Sequence, residues 1–105
     1  MIYKYYNFPK NVIKIGGCLE RSLSYFGIKP LREGDKTIQN LLDTLKYNDI
    51  IYVIKEYNEK DFENEKGFLI FKGNGFSSHI AVFDKGIYYD SYNHMKKPDF
   101  LIIIG

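Results

Sequence analysis

The chain has 105 residues, a formal net charge of +2, and 45% hydrophobic against 27% charged side chains, a balance that supports one hydrophobic core and one domain over 1–105. No apolar run approaches the ~20 residues that span a bilayer, and the opening Met1-Ile2-Tyr3-Lys4 lacks a signal-peptide pattern, so a cytoplasmic protein without a membrane partner is expected. Lys and Arg alternate with Asp and Glu instead of gathering into a stripe, which argues against nucleic acid as the partner.

Residues 1–17 mix aromatics with Pro9, Gly16 and Gly17 and show no clean period, which predicts an irregular arm with at most a short strand. From Cys18 the pattern becomes helical: Leu19, Leu23 and Phe26 recur on one face, Glu20 lies in the first turn and Gly27 follows as a stop. After a loop through Pro30 and Gly34, either Asp35 or Thr37 caps a second helix, in which Ile38, Leu41, Leu42 and Leu45 fall at i, i+3, i+4 and i+7. The β-branched run 50–55 predicts a mostly buried strand, and the charged stretch 56–67 predicts an exposed loop or a short solvated helix. Four strand-like runs follow at 68–72, 78–84, 86–91 and 100–104. The order is α+β: two N-terminal helices, the first packed on an antiparallel meander of about five strands.

Cys18 is the only cysteine, so it is a buried filler, a metal ligand with other partners, or a reactive thiol. Its place at a helix N-terminus speaks for the third, because the partial positive charge there stabilises a thiolate and the free amides can bind an oxyanion, but a free cysteine taken alone is more often a buried filler, so the choice turns on a partner. The two preceding glycines allow a sharp turn and a close approach of backbone to ligand. His79 opens the run Ser78-His79-Ile80-Ala81-Val82-Phe83-Asp84, and Lys85-Gly86 turns the chain back through Ile87-Tyr88-Tyr89-Asp90-Ser91, a hairpin that offers either a base and a carboxylate to orient it or a solvated strand-end histidine with Asp90 as a turn former. A two-residue turn puts Asp90 on the face of His79, whereas a three-residue turn sends Asp90 to the other face and makes Asn93 the candidate. His94, in a polar run, is a lesser candidate for the base. The tyrosines, 10 in all and clustered at Tyr3, Tyr5, Tyr6 and at Tyr88, Tyr89, Tyr92, either line a core face or present stacking surfaces. One Cys and two His without paired spacing do not make a zinc site, and Gly73-Asn74-Gly75 reads as a hairpin turn and not a phosphate loop, so no metal and no cofactor is expected.

Gly-Gly-Cys opening the helix Leu19-Glu20-Arg21-Ser22-Leu23, with the later His79-Ile80-Ala81-Val82-Phe83 and Gly86-Ile87-Tyr88-Tyr89-Asp90-Ser91, resembles the papain-like cysteine peptidase superfamily in its small bacterial and phage forms. The resemblance spans roughly residues 16–93. It implies Cys18 as nucleophile, His79 as general base and acid, and Asp90 as the orienting residue, with Asn93 as substitute. Where that superfamily supplies an oxyanion-hole glutamine about six residues before the cysteine, this chain has Val12, with Asn11 the nearest amide side chain. The expected function is a cysteine protease-type thiol hydrolase acting on a peptide or protein amide or isopeptide. The alternative is a viral or mobile-element protein that keeps the scaffold and binds a host protein through its tyrosines. The sequence leaves the oligomeric state open.

Overall fold

The computed structural model describes residues 4–9, 17–73, 78–91 and 96–105. In chain order the elements are β1 (Lys4–Asn7), α1 (Cys18–Tyr25), α2 (Ile38–Tyr47), β2 (Tyr52–Glu56), α3 (Glu59–Asn64), β3 (Lys66–Lys72), β4 (Ser78–Asp84), β5 (Ile87–Asp90) and β6 (Phe100–Ile104). The class is α+β, with three helices and one six-stranded mixed sheet.

Local chemistry accounts for the helix ends. Gly27 takes φ +72° after α1, and the Ile28 and Gly27 amides donate back to Leu23 and Ser24 at 3.0 Å each, so two orphan carbonyls of the last turn are satisfied. Thr37 and not Asp35 caps α2, its hydroxyl accepting the Asn40 amide at 3.2 Å. Asp35 instead holds Thr37, accepting its N–H at 2.9 Å and its hydroxyl at 2.6 Å. Of the helical series, Leu41 and Leu45 are fully buried and Ile38 and Leu42 pack at the margin of the core. Asn40, also buried, donates to the carbonyls of Arg32 and Asp35 at 2.9 and 2.8 Å and accepts the Arg32 amide at 3.2 Å, so one side chain ties the loop before α2 to that helix. The charged stretch takes its helical alternative: Asn58 caps α3 by accepting the Asp61 amide at 2.8 Å, and Phe62 is its buried anchor.

The strand order is β1-β5-β4-β3-β6-β2. Two expectations need correction here. The sheet is not a purely antiparallel meander of about five strands, because β6 inserts between β3 and β2 and because β1 runs parallel to β5, with Tyr5 opposite Tyr88 and Tyr6 opposite Tyr89. The expected buried strand β2 is an edge strand, in which only Tyr52 is partly covered, and Ile51, Val53 and Ile54 are 82%, 48% and 50% exposed. An apolar run has the composition of a buried strand whether or not a neighbour arrives to cover it. Leu19, Leu23, Leu41, Leu45, Phe68, Ile80, Val82 and Ile102 fill the core between α1, α2 and one sheet face. Phe62 of α3 packs with Leu69, Phe71, Ala81, Phe83, Tyr88 and Leu101 on the other.

The β4–β5 hairpin has the two-residue turn, since Asp84 pairs with Ile87. Lys85 and Gly86 both have positive φ, +49° and +86°, the primed geometry that matches strand twist. Their amides donate to Glu65 and Phe62 carbonyls at 2.9 and 2.8 Å, anchoring the turn on the end of α3. Among the described residues, no helix is long and apolar enough to cross a membrane.

Candidate active site

The hairpin register decides where the polar groups meet. Val82 pairs with Tyr89, so one step further Ala81 lies opposite Asp90, and His79, two residues before Ala81, shares its face. Asp90 is fully buried, and its Oδ2 meets His79 Nε2 at 2.6 Å. The same oxygen accepts the Tyr88 hydroxyl at 2.6 Å, while Oδ1 accepts the Ser91 amide at 2.7 Å. A carboxylate removed from water is tolerable only when its lone pairs are filled in this way. Phe71, whose ring lies 5.8 Å from that of His79, gives the imidazole an apolar wall.

Cys18 is the first residue of α1, and the sequence-expected start is met to the residue. Gly17 precedes it at φ −85° and ψ 178°, extended backbone that any residue adopts, and a Cβ there would meet only the Lys36 stem at 3.5 Å. Conformational freedom at Gly17 is therefore not what sets the turn. The docking of α1 is set by Ile80 of β4. Its carbonyl accepts the Ser22 hydroxyl at 3.3 Å, and its amide donates to the Cys18 sulfur, so residues one turn apart on α1 engage both polar groups of one strand residue. That grip holds Cys18 beside the residue before Ile80, which is His79, and the thiol hydrogen-bonds the imidazole. With Nε2 turned to Asp90, the other ring nitrogen is the one available to sulfur.

Charge and burial oppose each other at both groups. Burial by itself would push the Cys18 thiol up. The His79 hydrogen bond, the Ile80 amide and the positive charges of His79 and Arg21 outweigh it, and the thiol lies below its ordinary value. Burial would likewise push His79 down, but the hydrogen bonds and charges of Asp90 and Cys18 raise it to about 9. Both shifts favour thiolate beside imidazolium. The first-turn amides of α1 have no intrahelical acceptor, as at any helix start, and lie next to that sulfur.

The structure thus brings Cys18, His79 and Asp90 together. Asn11, the oxyanion candidate, Asn93, the substitute third member, and His94, the other histidine, lie outside the described residues, as do Tyr3 and Tyr92. Of the other clustered tyrosines, Tyr88 is buried, Tyr5 and Tyr89 are partly covered, and Tyr6 is 52% exposed. Sequence reasoning missed Tyr88 and Ser22. Tyr88 was legible as the residue two before Asp90 on the same strand face, and Ser22 as the i+4 neighbour of Cys18. Among the described residues, no three His, Cys, Asp or Glu side chains are grouped to hold a metal ion. Compared with protein-family models, with curated proteins and with solved structures, the chain matches none.

Proposed function

We propose that this chain is a thiol hydrolase of papain-like type that cleaves an amide or isopeptide bond. The observation that carries the reading is the relay from a helix-N-terminal Cys18 to His79 to a fully buried Asp90. The thiolate attacks the carbonyl carbon, and the α1 amides stabilise the resulting oxyanion. His79 gives its proton to the leaving nitrogen as the C–N bond breaks, leaving a thioester on Cys18. Neutral His79 then takes a proton from water, the hydroxide attacks the thioester, and the carboxylic acid leaves as the thiolate and imidazolium reform. Asp90 holds the ring through Nε2 and stabilises its charge, while Tyr88 holds Asp90.

The test is labelling of native protein with iodoacetamide across pH 5 to 10, read by intact mass, together with turnover of a denatured-protein substrate. Cys18 should label with a midpoint below the ~8.5 of a free thiol, and Cys18→Ala should abolish turnover. Labelling confined to denatured protein would overturn the reading.

A second reading has its own support. Ile51, just before the edge strand β2, and Val53 and Ile54 within it are 82%, 48% and 50% exposed, and a sheet edge with uncovered apolar side chains suits pairing with a protein partner. A biological activity that survives Cys18→Ala and fails in Ile51→Lys would select the binding module.

A further inference from the structure

A cavity of about 280 Å³ is lined among the described residues by Asn7, Phe8, Arg21 and Ser91, of which Asn7, Arg21 and Ser91 lie one strand position or one helical turn from a member of the Cys18, His79 and Asp90 group. Its place follows from the topology. Asn7 ends β1 opposite Asp90, Ser91 follows Asp90, and Arg21 stands three residues along α1 from Cys18, on the same side of the helix. The volume falls just under that of ordinary small-molecule sites, which start near ~300 Å³, and suits one side chain of a larger substrate. Among the described residues the lining carries one charge, and it is positive. Arg21 contributes a guanidinium, which carries donors only, Ser91 a hydroxyl that both donates and accepts, and Asn7 an amide whose oxygen accepts the Tyr5 hydroxyl at 2.8 Å and whose NH₂ is a donor. No carboxylate is among the described residues of the lining, and Phe8, 9% exposed, supplies an apolar floor for methylenes.

We propose that this cavity is a subsite for a carboxylate, held by Arg21, so that the preferred substrates are peptides with a Glu- or Asp-type side chain next to the bond that Cys18 attacks. The inference rests on the hydrolase reading for its substrate, but the cavity can be tested apart from turnover. Arg21 also favours the thiolate through its charge, which ties the subsite to the reacting atom. A guanidinium fork matches a carboxylate bidentately, and lysine at that position would keep the charge while losing the fork.

The experiment compares Cys18 alkylation by iodoacetate and by iodoacetamide in native protein, in Arg21→Gln and in Arg21→Lys. Any change in thiol ionisation affects both reagents equally and cancels in the ratio of their rates. The iodoacetate preference should fall roughly five- to tenfold in Arg21→Gln and partly recover in Arg21→Lys. A preference unchanged by Arg21→Gln would assign it to the imidazolium and overturn the subsite. If neither reagent labels native protein, the hydrolase reading fails, and a second measurement decides the cavity by itself. Glutarate titrated into Cys18→Ala protein should shift the amide resonances of Asn7 and Ser91, with no shift from neutral glutaramide and none in the added Arg21→Gln background. Equal responses to the two compounds, or none to glutarate, reject the carboxylate subsite.

Discussion

Replacing Asp90 by asparagine removes one charge while keeping the shape of the side chain, and the site responds through His79. Its hydrogen bonds and charged neighbours push the imidazole up to about 9 against an ordinary 6.5, roughly 3 kcal/mol between its two protonation states. Asp90 provides the largest raising contribution and Cys18 the next, while burial acts the other way. Asp90→Asn should therefore lower the His79 midpoint and move the Cys18 alkylation midpoint upward, because a neutral imidazole no longer favours the thiolate. The chain has only two histidines, so a His94→Gln background leaves one imidazole to follow by NMR titration. The same substitution puts an NH₂ in place of one acceptor oxygen, so either the Ser91 amide or the Tyr88 and His79 donors lose their partner, for a stability loss of about 1–3 kcal/mol. A His79 midpoint that does not move, in protein still folded, would refute the account of Asp90 as the partner that charges the ring.

Linkage makes a related prediction for Cys18→Ala protein, where Asp90 alone raises His79. A raised histidine contributes stability that is complete below its unfolded value near ~6.5 and is lost as pH climbs towards the folded one, so chemical denaturation should show stability falling over that range, and a flat profile would contradict it. Leu41→Ala, at a fully buried position, should cost about 2–5 kcal/mol through a cavity, against a smaller loss of about 1 kcal/mol for Cys18→Ala, which removes one atom and with it the acceptor of the Ile80 amide; similar denaturation midpoints for the two would count against the core assignment. Gly67→Ala should prevent stable folding, because Gly67 has φ +153° and a Cβ there clashes with the Ile102 carbonyl of the neighbouring strand. Ile51→Lys, at an 82% exposed position, should change stability by less than about 0.5 kcal/mol, and a larger loss would show that the β2 edge is covered.

What the sequence determined by itself was local. Thr37 with the Ile38, Leu41, Leu42, Leu45 spacing specifies α2, and the Cys18 start and Gly27 stop specify α1, because caps and periodicity act over one or two turns. The Lys85-Gly86 turn carried further than its two residues. Strand side chains alternate strictly, so the choice between a two- and a three-residue turn put Asp90 on the face of His79 or on the opposite one.

The tertiary structure decided what depends on neighbours distant in the chain. The insertion of β6 between β3 and β2, the parallel pairing of β1 with β5 and the exposure of the β2 edge arise from which apolar faces find one another, and an apolar strand reads alike in the centre or at the rim of a sheet. The candidate site divides along the same line. Its residue types were visible in the chain, but the meeting of Cys18 with His79 depends on Ser22 and Cys18 engaging Ile80 across 58 and 62 residues, contacts between polar groups that leave no period in the sequence.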